Sequence, residues 1–218
     1  MLREVSMEKI SDGKLYGPND MVRAGCDDCK GCSACCRGMG TSIVLDPYDM
    51  HRMVTGLKMT AAALLGAYLE LNVTDGIVQP NIRMAGEGEQ CLFLDEEGRC
   101  SIHPYRPGIC RLFPLGRIYD GKGGFQYFLQ VHECKKEKRT KVKVRKWMDT
   151  PDGAIYDKFI ADWHYFLLDL QQKLTAENSR KISMYVLQQF YLTPYENEDF
   201  YGSFDTRLKE GKIWAQSL

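Results

Sequence analysis

Apolar residues recur in two different periods along the chain, and the switch between them sets its organisation. Phe125, Tyr127, Leu129 and Val131 alternate with Gln126, Phe128 and Gln130, mostly the two-residue period of a half-buried strand. Residues 115–119 form a matching run, and Asp120-Gly121-Lys122-Gly123-Gly124 between the two predicts a hairpin turn. A second hairpin is predicted where 91–94 and 99–102 flank Asp95-Glu96-Glu97-Gly98. Beyond Pro151 the period lengthens. Ile155, Phe159, Trp163, Phe166, Leu170 and Leu174 fall at helical spacing and predict one amphipathic helix of about five turns. Ile182, Tyr185, Val186 and Phe190 predict another, ending before Pro194.

The first half is less regular. Residues up to 24 are polar, with Gly13, Gly17 and Pro18, and are expected to lie over the surface. Residues 41–45 predict a short strand, and Asp46-Pro47 opens a helix with a capping residue followed by proline at the first helical position. An Ala- and Leu-rich helix is predicted over 60–71 and a strand over 77–84. The tail from Tyr195 is acidic, then mixed, and is expected to be loosely held. The pattern predicts an α+β fold of cysteine-rich loops and short antiparallel hairpins packed with amphipathic helices. Its expected divisions are an N-terminal extension (1–25), a cysteine-cluster metal-binding domain (26–175) and a C-terminal helix and tail (176–218). No internal repeat is present.

Cysteine changes this picture most. The 218 residues include nine cysteines, five of them within 26–36. Cys26, Cys29, Cys32 and Cys35 recur every third residue, and Cys36 adds a fifth sulfur. Such spacing lets thiolates converge across a tight turn, as a soft metal or an iron–sulfur cluster requires. Cys91, Cys100, Cys110 and Cys134 follow. The competing reading is a secreted disulfide scaffold. Against it, the opening residues lack an apolar core of signal-peptide length, sulfurs this close in sequence make poor disulfide partners, and an odd count leaves one thiol over. The expectation is a reduced, cytoplasmic metal protein without a membrane span. A chain this long can bury a core of its own, so metal need not be its main source of stability.

The second cysteine group sits in a stiff segment. Pro104, Pro107 and Pro114 bracket Cys110 in His103-Pro104-Tyr105-Arg106-Pro107-Gly108-Ile109-Cys110-Arg111-Leu112-Phe113-Pro114. Two motifs therefore stand in order. The first is Cys29-Lys30-Gly31-Cys32-Ser33-Ala34-Cys35-Cys36. The second comprises Cys91-Leu92-Phe93-Leu94, Gly98-Arg99-Cys100-Ser101-Ile102 and Arg106-Pro107-Gly108-Ile109-Cys110-Arg111-Leu112-Phe113-Pro114. The chain resembles the YkgJ-type cysteine-cluster family, described as zinc- or iron-chelating, over roughly residues 26–175. The resemblance implies Cys29, Cys32, Cys35, Cys36, Cys91, Cys100, Cys110 and Cys134 as metal ligands and leaves Cys26 as an extra. It extends to flagellin lysine N-methylases, which implies as an alternative an S-adenosylmethionine-dependent enzyme acting on a protein substrate.

Eight thiolates can fill two four-sulfur sites, each with net charge near about −2 around zinc or an oxidised [4Fe–4S] core. An iron–sulfur cluster is favoured over zinc on ligand softness, with a redox partner or a sensing role to match. The adjacent Cys35 and Cys36 are expected to serve different irons or sites. Cysteines 26, 29, 32 and 36 have ferredoxin spacing, but Arg37 follows where ferredoxins have proline. Lys30, Arg37, Arg106 and Arg111 lie near cysteines and are candidates to offset thiolate charge. His103 and His132 are the better-placed histidines, whereas His51 and His164 fall on predicted helices. The chain carries 29 basic and 29 acidic residues, a balance that argues neither for nucleic acid nor for an acidic membrane, and with no nucleic-acid motif present a nucleic-acid partner is not expected. The basic run 135–146 reads as an exposed strand with Val142 and Val144 facing inward. Radical S-adenosylmethionine spacing fails because Met39 stands at the third cysteine position, and P-loop and H-E-x-x-H motifs are absent.

Overall fold

The computed structural model describes residues 6–30, 32–196 and 199–218. Its first half runs α1 (Met7–Ile10), β1 (Ser11–Tyr16), β2 (Met21–Gly25), α2 (Pro47–Leu57), α3 (Ala61–Tyr68), β3 (Leu69–Thr74), β4 (Ile77–Ile82), β5 (Met84–Ala85) and β6 (Gln90–Cys91). The second half runs α4 (Gly108–Leu112), β7 (Leu115–Tyr119), β8 (Phe125–Gln130), β9 (Thr140–Lys143), α5 (Val144–Met148), α6 (Gly153–Gln172), α7 (Ser179–Val186) and α8 (Phe200–Ala215). The fold is α+β, with small antiparallel sheets. The opening residues 1–5 read for a leader, Gly31 of the first motif and Asn197 and Glu198 of the tail lie outside the described residues.

The predicted hairpin 115–130 forms in register, Leu115 opposite Leu129 and Tyr119 opposite Phe125. Its second strand is central, because β1 pairs along the other edge in the order β1-β8-β7. A central strand is covered on both faces, which is why Phe128 is buried along with Tyr127 and Leu129 instead of alternating with them. The N-terminal stretch is mostly exposed, as expected, but it is paired into sheets instead of running free. β1 joins this sheet and β2 pairs with β9, burying Val22 and Ala24. Long-range backbone pairing overrides local polarity here.

α2 starts where Asp46-Pro47 places it. Asp46 Oδ1 accepts from the Asp49 backbone N–H at 2.8 Å, and Asp49 Oδ2 accepts from the Asp46 N–H at 3.2 Å, a reciprocal cap. Residues 41–45 run beside β4 through Leu45 N–H to Pro80 O (2.9 Å) and Ile82 N–H to Ile43 O (3.0 Å), with a single bridge at Val44 in place of the expected strand. The helix predicted to 71 stops at Tyr68. Leu69 begins β3, which returns as β4 through Asp75-Gly76, both in the left-handed region (φ 49° and 85°) that a two-residue hairpin turn requires.

The C-terminal half supplies most of the core. α6 buries Phe159, Trp163, Phe166 and Leu170, as the helical period predicts, although Ile155 is exposed. The tail is not loosely held: α8 buries Phe200, Phe204, Leu208 and Ala215 along one face. Gly211 permits the close approach, since a Cβ there would meet the Phe166 ring at 2.9 Å. The basic run is in part the expected exposed strand, with Lys141 and Lys143 in solvent and Val144 buried, but α5 begins at Val144. Among the described residues no helix is long and apolar enough to cross a membrane.

His164 stacks on Tyr119 with ring centroids 3.4 Å apart, and burial pulls it down from 6.5 to about 4. The unfolded chain then binds a proton at His164 more readily than the folded one. This contribution to stability is complete above pH 6.5 and lost as pH falls toward 4. Urea midpoints measured from pH 7 to 4 should fall less steeply for His164→Phe than for the parent.

Candidate metal centre

β2 delivers the first sulfurs. Gly25 closes onto β9, where an added Cβ would meet the Thr140 side chain and stand 3.2 Å from its carbonyl oxygen. Cys26 follows at once and is 6% exposed. The chain then coils through short 3-10 turns, Asp27–Cys29 and Ala34–Cys36, closed by Lys30 N–H to Asp27 O (3.0 Å), Cys32 N–H to Cys29 O (2.9 Å) and Cys36 N–H to Ser33 O (2.9 Å). Cys29 sits at φ 57°, in the left-handed region that is uncommon for a residue with a side chain. The coiling brings Cys26 Sγ within 3.4 Å of Cys29 Sγ. β9 carries the segment before it over the same turns: Lys136 Nζ donates to Lys30 O at 2.9 Å, and Cys134 lines a pocket with Cys26, Cys29, Cys32 and Cys35.

The second group is assembled around Cys91. Arg37 bridges to Gln90, and Gly38 N–H donates to Glu89 O at 3.0 Å, which docks the end of the first motif beside β6. The predicted 91–102 hairpin is realised as a tight loop, with a Leu94–Cys100 bridge and Ser101 N–H to Phe93 O at 2.8 Å. The Cys91 and Cys100 sulfurs accept from the backbone N–H groups of Phe93 and Ile102. Cys110 lies on α4, whose first residue is anchored from a distance: Gly108 N–H donates to the buried Asp49 Oδ1 at 2.7 Å. Tyr105 packs on α2 at Gly56, where a Cβ would stand 2.6 Å from its ring, and Trp147 Nε1 donates to Phe113 O at 3.2 Å.

All nine cysteines are free thiols, and eight of them are half-buried. Cys35 joins the two groups: Cys29 on one side and Cys91 and Cys110 on the other all feel its charge. Burial, followed by the Cys26 thiol, pushes Cys29 up to about 12. A hydrogen bond with Cys36, followed by burial, raises Cys35, and burial raises Cys91, Cys100 and Cys110. Arg106 opposes these shifts at Cys29, Cys35 and Cys100. Thiolates crowded in a half-dry site are unstable alone and are stabilised by a cation among them. The soft donor set fits zinc or iron. Among the described residues no three Cys, His, Asp or Glu side chains yet converge on one point at single-ion spacing.

Of the cations flagged by sequence, Arg106 faces the thiols. Arg111 is buried against Tyr156 and near Asp49 and Asp46, Arg37 donates to Gln90 Oε1 at 2.5 Å, and Lys30 is exposed. The His103 ring is engaged by Arg106, and His132 is exposed. Sequence reasoning missed Lys135, Lys136 and Trp147 in the pocket wall, since nothing local ties them to the cysteine run. It also missed Asp49, although Asp-x-x-Asp at a helix start is a capping pattern. The sequence profile of the CxxCxxCC family, described as "Putative zinc- or iron-chelating domain", matches residues 28–146, over half of the chain. No curated protein and no solved structure matches it. The profile supports metal binding and does not extend to a methylase relation.

Asp49→Ala removes a helix cap and strands the buried Gly108 N–H, so unfolding in urea should show a loss of about 2–4 kcal/mol. Alkylation of Cys110 in the metal-free chain should accelerate with it. Arg106→Gln removes the cation that holds down Cys29, Cys35 and Cys100. Iodoacetamide rates at these thiols, followed against pH by mass spectrometry, should shift to higher pH in the variant.

Proposed function

The chain is a member of the CxxCxxCC family, and on that premise we propose that its thiolates hold an iron–sulfur cluster used in electron transfer or sensing. The proposed ligands come from Cys29, Cys32, Cys35, Cys36, Cys91, Cys100, Cys110 and Cys134. The observation that carries the reading is the placement of Cys35, in one pocket wall with Cys26, Cys29, Cys32 and Cys134 and two residues before the Arg37–Gln90 bridge that adjoins Cys91. A polynuclear centre suits sulfurs spread over an extended face, because each thiolate caps its own iron. Cys35, Cys91, Cys100 and Cys110 are the set nearest such a centre, with Cys36 beside them. Backbone N–H groups already point at the Cys91 and Cys100 sulfurs, and such bonds raise the potential of a cluster by stabilising its more negative, reduced state.

A bound cluster would supply one-electron storage. The chain's own residues would contribute the thiolates, the Arg106 charge and partial exclusion of water. A redox partner protein is the corresponding partner, and a reducing compartment such as the cytoplasm is where free thiols persist. Purification under strict anaerobiosis should yield iron and acid-labile sulfide together, with a broad visible absorption that bleaches on reduction. A colourless chain loaded with zinc alone, which iron and sulfide cannot reconstitute, overturns the cluster.

A further inference from the structure

Cys26 lies outside the family match, which begins at residue 28. It is nevertheless the most buried cysteine of the chain, 6% exposed, and its sulfur is turned toward other sulfurs. The 3.4 Å between Cys26 Sγ and Cys29 Sγ is far beyond the roughly 2.05 Å of a disulfide. It is close to the edge of a tetrahedron of sulfurs around one metal ion, about 3.8 Å when each metal–sulfur bond is about 2.3 Å. Thiolates on separate irons of a cluster stand farther apart. A cysteine serving merely as a small core residue would pack against aliphatic neighbours, not at the wall of a thiol-lined pocket.

The pocket supplies the remaining donors. Cys26, Cys29, Cys32 and Cys134 are part of its wall, with Ala34, Phe113, Pro114 and Trp147 among the rest, and its volume is about 20 Å³, room for one ion. The fifth sulfur in its wall, Cys35, also lies near the second group, because the Arg37–Gln90 bridge two residues on docks this segment beside Cys91. Lys135 and Lys136 form part of the same wall, against one acidic side chain, Glu133, so the wall carries a net positive charge toward a four-thiolate site. The sulfurs do not yet meet at a point, but changing a cysteine rotamer moves its sulfur by roughly 3 Å.

We propose that Cys26 is a metal ligand, completing with Cys29, Cys32 and Cys134 a closed site for a single divalent ion of the zinc class, separate from the centre at Cys35, Cys91, Cys100 and Cys110. The inference rests on the metal-thiolate reading and adds a ninth sulfur to it. The full-length chain, reduced and stripped of metal, is titrated with cobalt(II) and followed by its tetrahedral thiolate absorption. The parent should take two equivalents. Cys26→Ala should lose one and keep the other, and Cys100→Ala should do the same at the opposite centre. Alkylation of Cys26 in the parent, read by mass spectrometry, should slow at least about tenfold when zinc is present, by mass action on the thiolate. Full cobalt stoichiometry in Cys26→Ala, or unchanged alkylation of Cys26 with zinc, overturns the assignment while the metal reading stands. A parent chain that takes up neither cobalt, zinc nor iron overturns the metal reading itself, and Cys26 with it.

Discussion

Asp49 is the constraint on which the site depends. One carboxylate, 2% exposed, closes the N-terminus of α2 and reaches across 59 residues of sequence to the N–H of Gly108. The segment carrying Cys110 is thereby fixed to a helix already seated in the core. Burial drives both Asp46 and Asp49 upward in pKa, while backbone N–H groups and Arg111 pull back. Arg111 and Arg117 both face the Tyr156 ring, at 5.7 and 5.8 Å, so a buried charge network stands behind the sulfurs. Such a network adds little net stability, but removing one member is costly because the rest are left uncompensated.

The front of the site has the opposite electrostatics. Its thiols crowd one another, and Arg106 opposes the charge they would develop at Cys29, Cys35 and Cys100, joined by Arg99 at Cys100. The protein holds donors in place whose ionised form it stabilises only in part, since burial outweighs these opposing groups. A cation bound among such thiols supplies the rest of the counter-charge, and its uptake is coupled to proton release.

Local patterns carried much of the architecture. Asp46-Pro47 marks the start of α2, the alternation at 125–131 marks β8, and the four-residue recurrence after Pro151 marks α6. Two misreadings had local signals available. Phe200, Phe204, Leu208 and Ala215 recur at helical spacing within the tail, and Asp75-Gly76 is a hairpin turn that converts the end of a supposed helix into β3. The rest was not legible. That polar residues 11–25 pair with strands more than a hundred positions away leaves no trace in their own periodicity. The eight cysteines of the two motifs could be read as a set, but the orientation of Cys26 depends on the left-handed turn at Cys29 and on Gly25 touching Thr140.

The contact between Gly25 and Thr140 closes a loop of 115 residues. Closing a flexible loop of that size costs about 4 kcal/mol of chain entropy. Because β2 and β9 pair through backbone hydrogen bonds, that cost is met by strand pairing and not by a metal drawing Cys134 toward the first motif. In a small zinc finger, ion binding and folding are one event. Here strand pairing of β2 with β9 by itself makes the two ends of the pocket neighbours, so ion affinity is not reduced by the work of closing that loop.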